Sequence, residues 1–209
     1  TSVSGDKYSI GYISLGSLND TVKAVKVDGV EATAENVLNG SYKIARPFNI
    51  AYKEELNPLV QDFLNFILSV EGQRIVSDAG YVEVSTDLTS YKKAEEMEGT
   101  LVVAGSTSVT PIMEKLAEAY REIHPKVSIE IQSTGSSAGI QAAIEGTADM
   151  GMASRELKES ELTELTAQTI AMDGIAIIVN RSNPIEDLTI DQIKSIYVGE
   201  ITEWKEVIE

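Results

Sequence analysis

The chain has 209 residues, a formal net charge of −16, 43% hydrophobic residues and no cysteine. That length can bury a substantial core as one large domain or two lobes, while the absent thiols exclude a disulfide framework, a thiolate metal site and a cysteine nucleophile. The acidic balance argues against nucleic acid and against a polybasic membrane contact. It leaves room for a small anion, because local hydrogen-bond donors outweigh a distant, salt-screened field.

In chain order, residues 8–15 read as a strand. Residues 22–27 alternate apolar residues with lysine, a half-buried strand closed by an Asp28-Gly29 hairpin turn. Residues 44–52 are extended, and Pro47 places them at an edge or a hinge. Residues 58–79 carry apolar side chains at helical spacing, with Asn57-Pro58 as a start signal and Gly80 as a stop. Residues 85–99 are polar and charged without an apolar face, which predicts a linker. The pattern then becomes strand, loop and helix: strands at 101–104, 127–132, 150–153 and 170–179, and helices at 111–123, 138–145 and 160–166. Asp173-Gly174 interrupts the last strand, and Trp204 reads as a core anchor. Residues 189–198, capped by Thr189, and 204–208 read as helices. Strands alternating with helices predict an α/β fold with parallel pairing. The longest apolar run, 175–179, is far too short to span a bilayer. The absence of an initiator methionine or signal peptide before Thr1 reads as a processed, engineered or excerpted chain.

Two loops carry the chemistry: Gly105-Ser106-Thr107-Ser108-Val109-Thr110-Pro111 and Ser133-Thr134-Gly135-Ser136-Ser137-Ala138-Gly139. Each follows a strand and opens a helix, with Thr110 as the expected N-cap of the first. Unpaired N–H groups and the hydroxyls of Thr107, Ser108, Ser136 and Ser137 would then point into one space and hold an anion without a lysine. One such loop is ordinary capping chemistry; two in consecutive strand-loop-helix units open on the same sheet edge. Ser154-Arg155 follows a third strand. Arg155 offers a fork suited to a tetrahedral oxyanion, or else pairs with Glu156 or Glu159 at the surface. His124 precedes Pro125 at a helix end, in a capping or solvent role. No second histidine exists to share a metal, and no base stands beside a serine, so the reading is a binding protein without metal, cofactor or catalysis.

The stretch LVVAGSTSVTPIMEKLAEAYREIHPKVSIEIQSTGSSAGIQAAIEGTADMGMASRELKESEL closely resembles the N-terminal part of phosphate-specific substrate-binding proteins of ABC transporters, the PstS type. Residues 165–207, with IAMDGIAIIVN and LTIDQIKSIYVGEITEWKEV, resemble the segment that comes next in that family. The leading segment, YSIGYISLG through LVQDFLNFILSVEGQRIVSDAGYVEV, resembles the family's C-terminal part. The order is therefore inverted, which reads as a circular permutation joined near residues 86–99, and Met97-Glu98-Gly99 resembles a start left inside the chain. A Ser-Gly-Thr-Arg type motif that the family carries in its second lobe is not in the sequence.

The resemblance implies a type II periplasmic-binding-protein fold: two lobes with a hinge, the second incomplete. The first lobe would be residues 46–172, including the linker, and the second 1–45 plus 173–209. It also implies inorganic phosphate held in an interlobe cleft, a receptor working outside the cytoplasm with a transporter permease, and no enzyme activity. By motif, Thr107, Ser108 and Ser136 match phosphate-contacting positions. Ser154 stands where some relatives place a proton-accepting Asp, which bears on discrimination between phosphate and sulfate. Other readings are an engineered, permuted or truncated scaffold or sensor component that binds weakly or not at all, and a homodimer formed by segment exchange across an uncovered face. A hydrolase using a loop serine is the remaining alternative, without a base to serve it.

Overall fold

The structure, a computed structural model, describes residues 2–84, 88–93 and 95–207. It divides into two units: Thr1–Ala45 with Asp173–Glu209, and Arg46–Met172. The chain passes between them after Ala45 and again after Met172.

In the first unit, α1 (Ser2–Gly5) leads into β1 (Ile10–Ser14), which pairs antiparallel with the end of β8 (Thr166–Val179), Ile10 opposite Val179 and Ser14 opposite Ile175. The strand expected at 22–27 is split. β2 (Lys23–Ala24) pairs with β8, while β3 (Lys26–Val27) pairs in parallel with β9 (Asp187–Leu188). A local alternation of apolar and Lys residues cannot show that its halves take different partners. The turn is as expected: Asp28 and Gly29 both adopt positive φ, 50° and 77°, and Val27 and Val30 exchange backbone bonds. α2 (Ala34–Leu38) follows. Asp173-Gly174 does not interrupt β8. Gly174 is there for packing, since a Cβ would lie 2.3 Å from Leu15 Cδ1. Thr189 caps α8 (Ile190–Tyr197), its hydroxyl accepting from the Gln192 N–H while Gln192 reaches back to the Thr189 N–H. Trp204 sits half-buried in a short 3₁₀ turn, Trp204–Glu206, and its Nε1 donates to the Tyr8 carbonyl at 2.9 Å rather than anchoring a core.

The second unit is built on the strand order β4-β7-β5-β6. β5 (Glu98–Gly105), β6 (Lys126–Ser133) and β7 (Met150–Ala153) are parallel, and β4 (Ala45–Tyr52) runs antiparallel to β7. Alternation along the strands sends Leu101, Val103, Met150 and Met152 into the main core. There they meet α3 (Pro58–Ile67), α4 (Val70–Asp78) and α5 (Thr110–Ile123). Gly151 and Ala153 instead face α6 (Ser136–Glu145), which packs with Leu157 and Leu165 in a separate cluster. α7 (Glu159–Leu162) is a single turn. Parallel strands covered by helices on both faces explain the nearly continuous apolar runs.

The helix expected over 58–79 is two helices. Ser69 donates its hydroxyl to the Phe66 carbonyl at 2.7 Å and accepts the Gly72 N–H at 3.2 Å, ending α3 and starting α4. The apolar period survives the break, so periodicity alone merges the pair. Ser69→Ala is expected to cost about 1 kcal/mol in urea denaturation, the ordinary worth of a cap; a change under about 0.3 kcal/mol would contradict this role.

The expected linker is also corrected. β5 begins at Glu98, and Tyr91 and Met97 pack against the core of the unit. The Tyr91 ring lies edge-on to Phe66 at 5.4 Å. Residues 85–87 and 94 of that stretch lie outside the described residues.

Candidate functional site

The C-terminal ends of β5, β6 and β7 share one edge because the strands are parallel. The loop after β5 leaves Gly105 at φ 144°, in a region open to glycine, and a Cβ there would lie 2.2 Å from the Met152 carbonyl oxygen. Ser106 then turns the chain. Its N–H donates to Met152 O, and its carbonyl accepts from the N–H groups of Val109 and Thr110. Thr110 is thus already helical and returns its hydroxyl to the Ser106 carbonyl at 3.1 Å; the N-cap of α5 is Val109, not Thr110 as expected. Thr107 is exposed and Ser108 half-buried in the turn ahead of the helix. Among the described residues, neither side chain nor backbone N–H of these two has a hydrogen-bond partner.

The second loop is tied to the first through one carbonyl. Gly105 O accepts from the N–H groups of Thr134 and Gly135 at 2.9 and 2.8 Å. Thr110 Oγ1 adds a bond to Ser133 Oγ at 3.3 Å. Gly135, at φ 89°, is the N-cap of α6, which places Ser136 and Ser137 in its first turn with N–H groups free of helical partners. Ser136 is half-buried and Ser137 exposed.

The third loop joins the second. The Ser154 N–H donates to Ser136 Oγ at 3.3 Å, so Ser136 and Ser154 meet directly. Arg155 has a different commitment. Its guanidinium holds Glu161 bidentately, Nη1 to Oε2 at 2.8 Å and Nη2 to Oε1 at 2.9 Å, and Nη1 also donates to the Glu156 carbonyl. The partner is Glu161 rather than Glu156 or Glu159, because α7 begins at Glu159 and the Lys158 N–H draws the Glu161 carboxylate back over the turn at 2.8 Å. This pairing holds the Glu161 carboxyl below, and the Arg155 guanidinium above, their ordinary pKa values. What remains on the edge is a set of neutral donors over helix N-termini, suited to an oxyanion.

One residue of this neighbourhood was not anticipated from the sequence. Asn49, 2% exposed in β4, contacts the Arg155 carbonyl. The available signal was an amide between Phe48 and Ile50 in an apolar run. Among the described residues no cluster of His, Cys, Asp and Glu fits a metal ion, and no helix is long and apolar enough to cross a membrane.

A profile of the PBP superfamily domain matches residues 80–208. The phosphate-binding protein PstS 2 of Streptococcus pneumoniae serotype 4 is 46% identical over 207 residues, 99% of this chain and 71% of that protein. A crystal structure of a phosphate ABC transporter phosphate-binding protein from the same species superposes with a TM-score of 0.91 at 47% identity, covering 99% of this chain and 80% of that one. PstS of Pseudomonas aeruginosa is 38% identical over 118 residues, 53% of this chain and 36% of that protein. The α/β fold and these matches agree, and the chain belongs to the PBP superfamily, in the family of the streptococcal PstS proteins.

Proposed function

We propose that this sheet edge binds inorganic phosphate, as the ligand-contacting part of an ABC importer's solute receptor that works with a permease outside the cytoplasm. Thr107, Ser108, Ser136, Ser137 and Ser154 supply the donors. The observation that carries the reading is the convergence of three post-strand loops, stapled through Gly105 O and Ser136 Oγ, with donors at Thr107 and Ser108 that have no partner among the described residues. Neutral hydroxyls and amides at helix N-termini bind a dianion without local positive charge, which reconciles the site with a net charge of −16. Arg155, paired with Glu161, shapes the third loop and leaves the anion to the neutral donors. The two relatives described above are named for phosphate and match nearly the whole chain. That full-length match, beside the half-length match to the Pseudomonas receptor, supports a segment order rotated relative to that receptor and shared with a natural streptococcal protein.

Calorimetric titration with phosphate, and sulfate as control, tests the reading. Saturable heat near one site per chain is expected, and Ser136→Ala is expected to weaken binding about tenfold, the cost of one hydrogen bond to a charged group. A cooperatively folded chain that takes up no phosphate would overturn it.

A further inference from the structure

We infer that Asn49 is a positioning residue for the anion site, an inference that rests on reading the three loops as a phosphate site. Asn49 lies opposite Ala153 in the β4–β7 register, one residue short of the Ser154 loop. Its Nδ2 donates to the Arg155 carbonyl at 3.0 Å, and its Oδ1 accepts the Thr169 hydroxyl at 2.7 Å. A carbonyl only accepts, so the nitrogen end must face Arg155; both ends of the amide are then satisfied and its orientation is fixed. The carbonyl it holds belongs to the loop whose Ser154 N–H meets Ser136 Oγ at 3.3 Å. The buried amide therefore sets where the third loop stands relative to the N-terminus of α6. Sheet pairing cannot do this, because the β4–β7 register ends at Ala153. An apolar residue would fill the space but leave the Arg155 carbonyl without this donor. Asn49 and Thr169 also lie near the points where β4 enters this unit and β8 leaves it, so one side chain ties the loop to both connecting strands.

The test compares Asn49→Leu, Asn49→Asp and Thr169→Val in the full chain by phosphate titration, hydrogen exchange of the Ser154 amide and thermal unfolding. Asn49→Asp keeps an acceptor for Thr169 but cannot donate to Arg155 O. Thr169→Val removes the other bond and leaves the loop contact in place. Both Asn49 variants are expected to lose at least tenfold in phosphate affinity and to exchange the Ser154 amide at least tenfold faster. Thr169→Val is expected to stay within about threefold of wild type in both. Should Asn49→Leu fail to fold, Asn49→Asp decides. Wild-type affinity and unchanged Ser154 exchange in a folded Asn49→Asp chain would overturn the inference. If wild type binds no phosphate, the phosphate reading fails alone, and Ser154 exchange decides the positioning role: faster exchange in the Asn49 variants supports it and unchanged exchange overturns it.

Discussion

Replacing Gly139 by alanine is expected to destabilise the chain by about 3 kcal/mol or more and to abolish phosphate binding. A Cβ at this position would lie 2.2 Å from the Ala104 carbonyl oxygen, 2.2 Å from Gly105 Cα and 2.6 Å from the Ala104 carbonyl carbon. All three are backbone atoms, so no change of rotamer relieves the overlap. Relief requires α6 to lift away from β5. That movement breaks the bonds from the Thr134 and Gly135 N–H groups to Gly105 O, the contact that holds the first two loops together. One methyl group thus attacks both the packing of the unit and the proposed site. Gly5→Ala is the control, since a Cβ there meets nothing within 4 Å, and it is expected to be neutral. Urea denaturation and phosphate titration of the two variants measure the effect. A Gly139→Ala chain within about 0.5 kcal/mol of wild type would mean that the helix does not need this close approach.

That docking also shows how far the sequence could be read. Glycine, serine and proline mark loops by local chemistry, and strand-loop-helix order sets which sheet edge the loops share. The placement of Thr107, Ser108, Ser136 and Ser154 near one edge therefore comes from pattern alone. What the pattern cannot carry is partner choice across distance. Arg155 finds Glu161 only because the 156–158 turn and the start of α7 bring the carboxylate back. Tyr91 meets Asp62 and His124, residues 29 and 33 positions away, from a stretch whose polarity resembles a linker. Gly174 looks like a strand breaker until Leu15 is seen beside it. Asn49 is the instructive intermediate: its polarity inside an apolar strand was visible, while its partners Arg155 and Thr169 were not.

Charge and site fit together once Arg155 is accounted for. With its guanidinium held by Glu161, the edge presents dipoles rather than a cation. Helix N-termini and hydroxyls need no counter-charge to be buried when the site is empty, so a strongly acidic chain can keep such an edge preorganised. Both Asn49 and the two docking glycines, Gly105 and Gly139, serve that preorganisation from outside the donor set.

Removing the carboxylate of Asp62 is expected to cost about 3 kcal/mol, and the cluster around it is expected to lose stability as the pH falls below about 6.5. Asp62 Oδ2 accepts the hydroxyls of Tyr91 and Tyr120 at 2.5 and 2.6 Å and lies 3.5 Å from His124 Nε2. His124 is the C-cap of α5, as one of its two expected roles had it, its N–H donating to the Tyr120 carbonyl at 2.9 Å, but it is fully buried and not in solvent. Its Nδ1 accepts the Met97 N–H at 3.1 Å, which leaves the neutral ring's proton on Nε2, facing the Tyr91 oxygen at 2.7 Å. Asp62→Ala takes the acceptor from the buried Tyr120 and half-buried Tyr91 phenols, whose pKa values burial, and then Asp62 itself, push up. Burial outweighs the attraction of Asp62 and holds the His124 pKa below its ordinary 6.5, with Lys93 acting in the same direction and Glu96 against it. The folded chain therefore keeps His124 neutral where the unfolded chain protonates it. Because the unfolded state binds more protons, stability rises with pH across this window. The contribution is fully present above 6.5 and is lost as the pH falls from there toward the folded value, at no more than about 1.4 kcal/mol per pH unit for one proton. Glu71 and Glu161, whose carboxyls are held low by the Tyr91 N–H and by Arg155, add losses only as the pH falls below about 4.5, whereas the His124 loss begins below 6.5. Urea denaturation of wild type and His124→Gln between pH 8 and pH 5 should show the steeper decline in wild type, and parallel profiles would exclude His124 as the source. Tyr120→Phe in the Asp62→Ala background should recover part of the lost stability, because the penalty lies in the abandoned hydroxyl rather than in the missing charge, whereas Tyr91→Phe should not, since it takes the acceptor from the buried His124 Nε2–H.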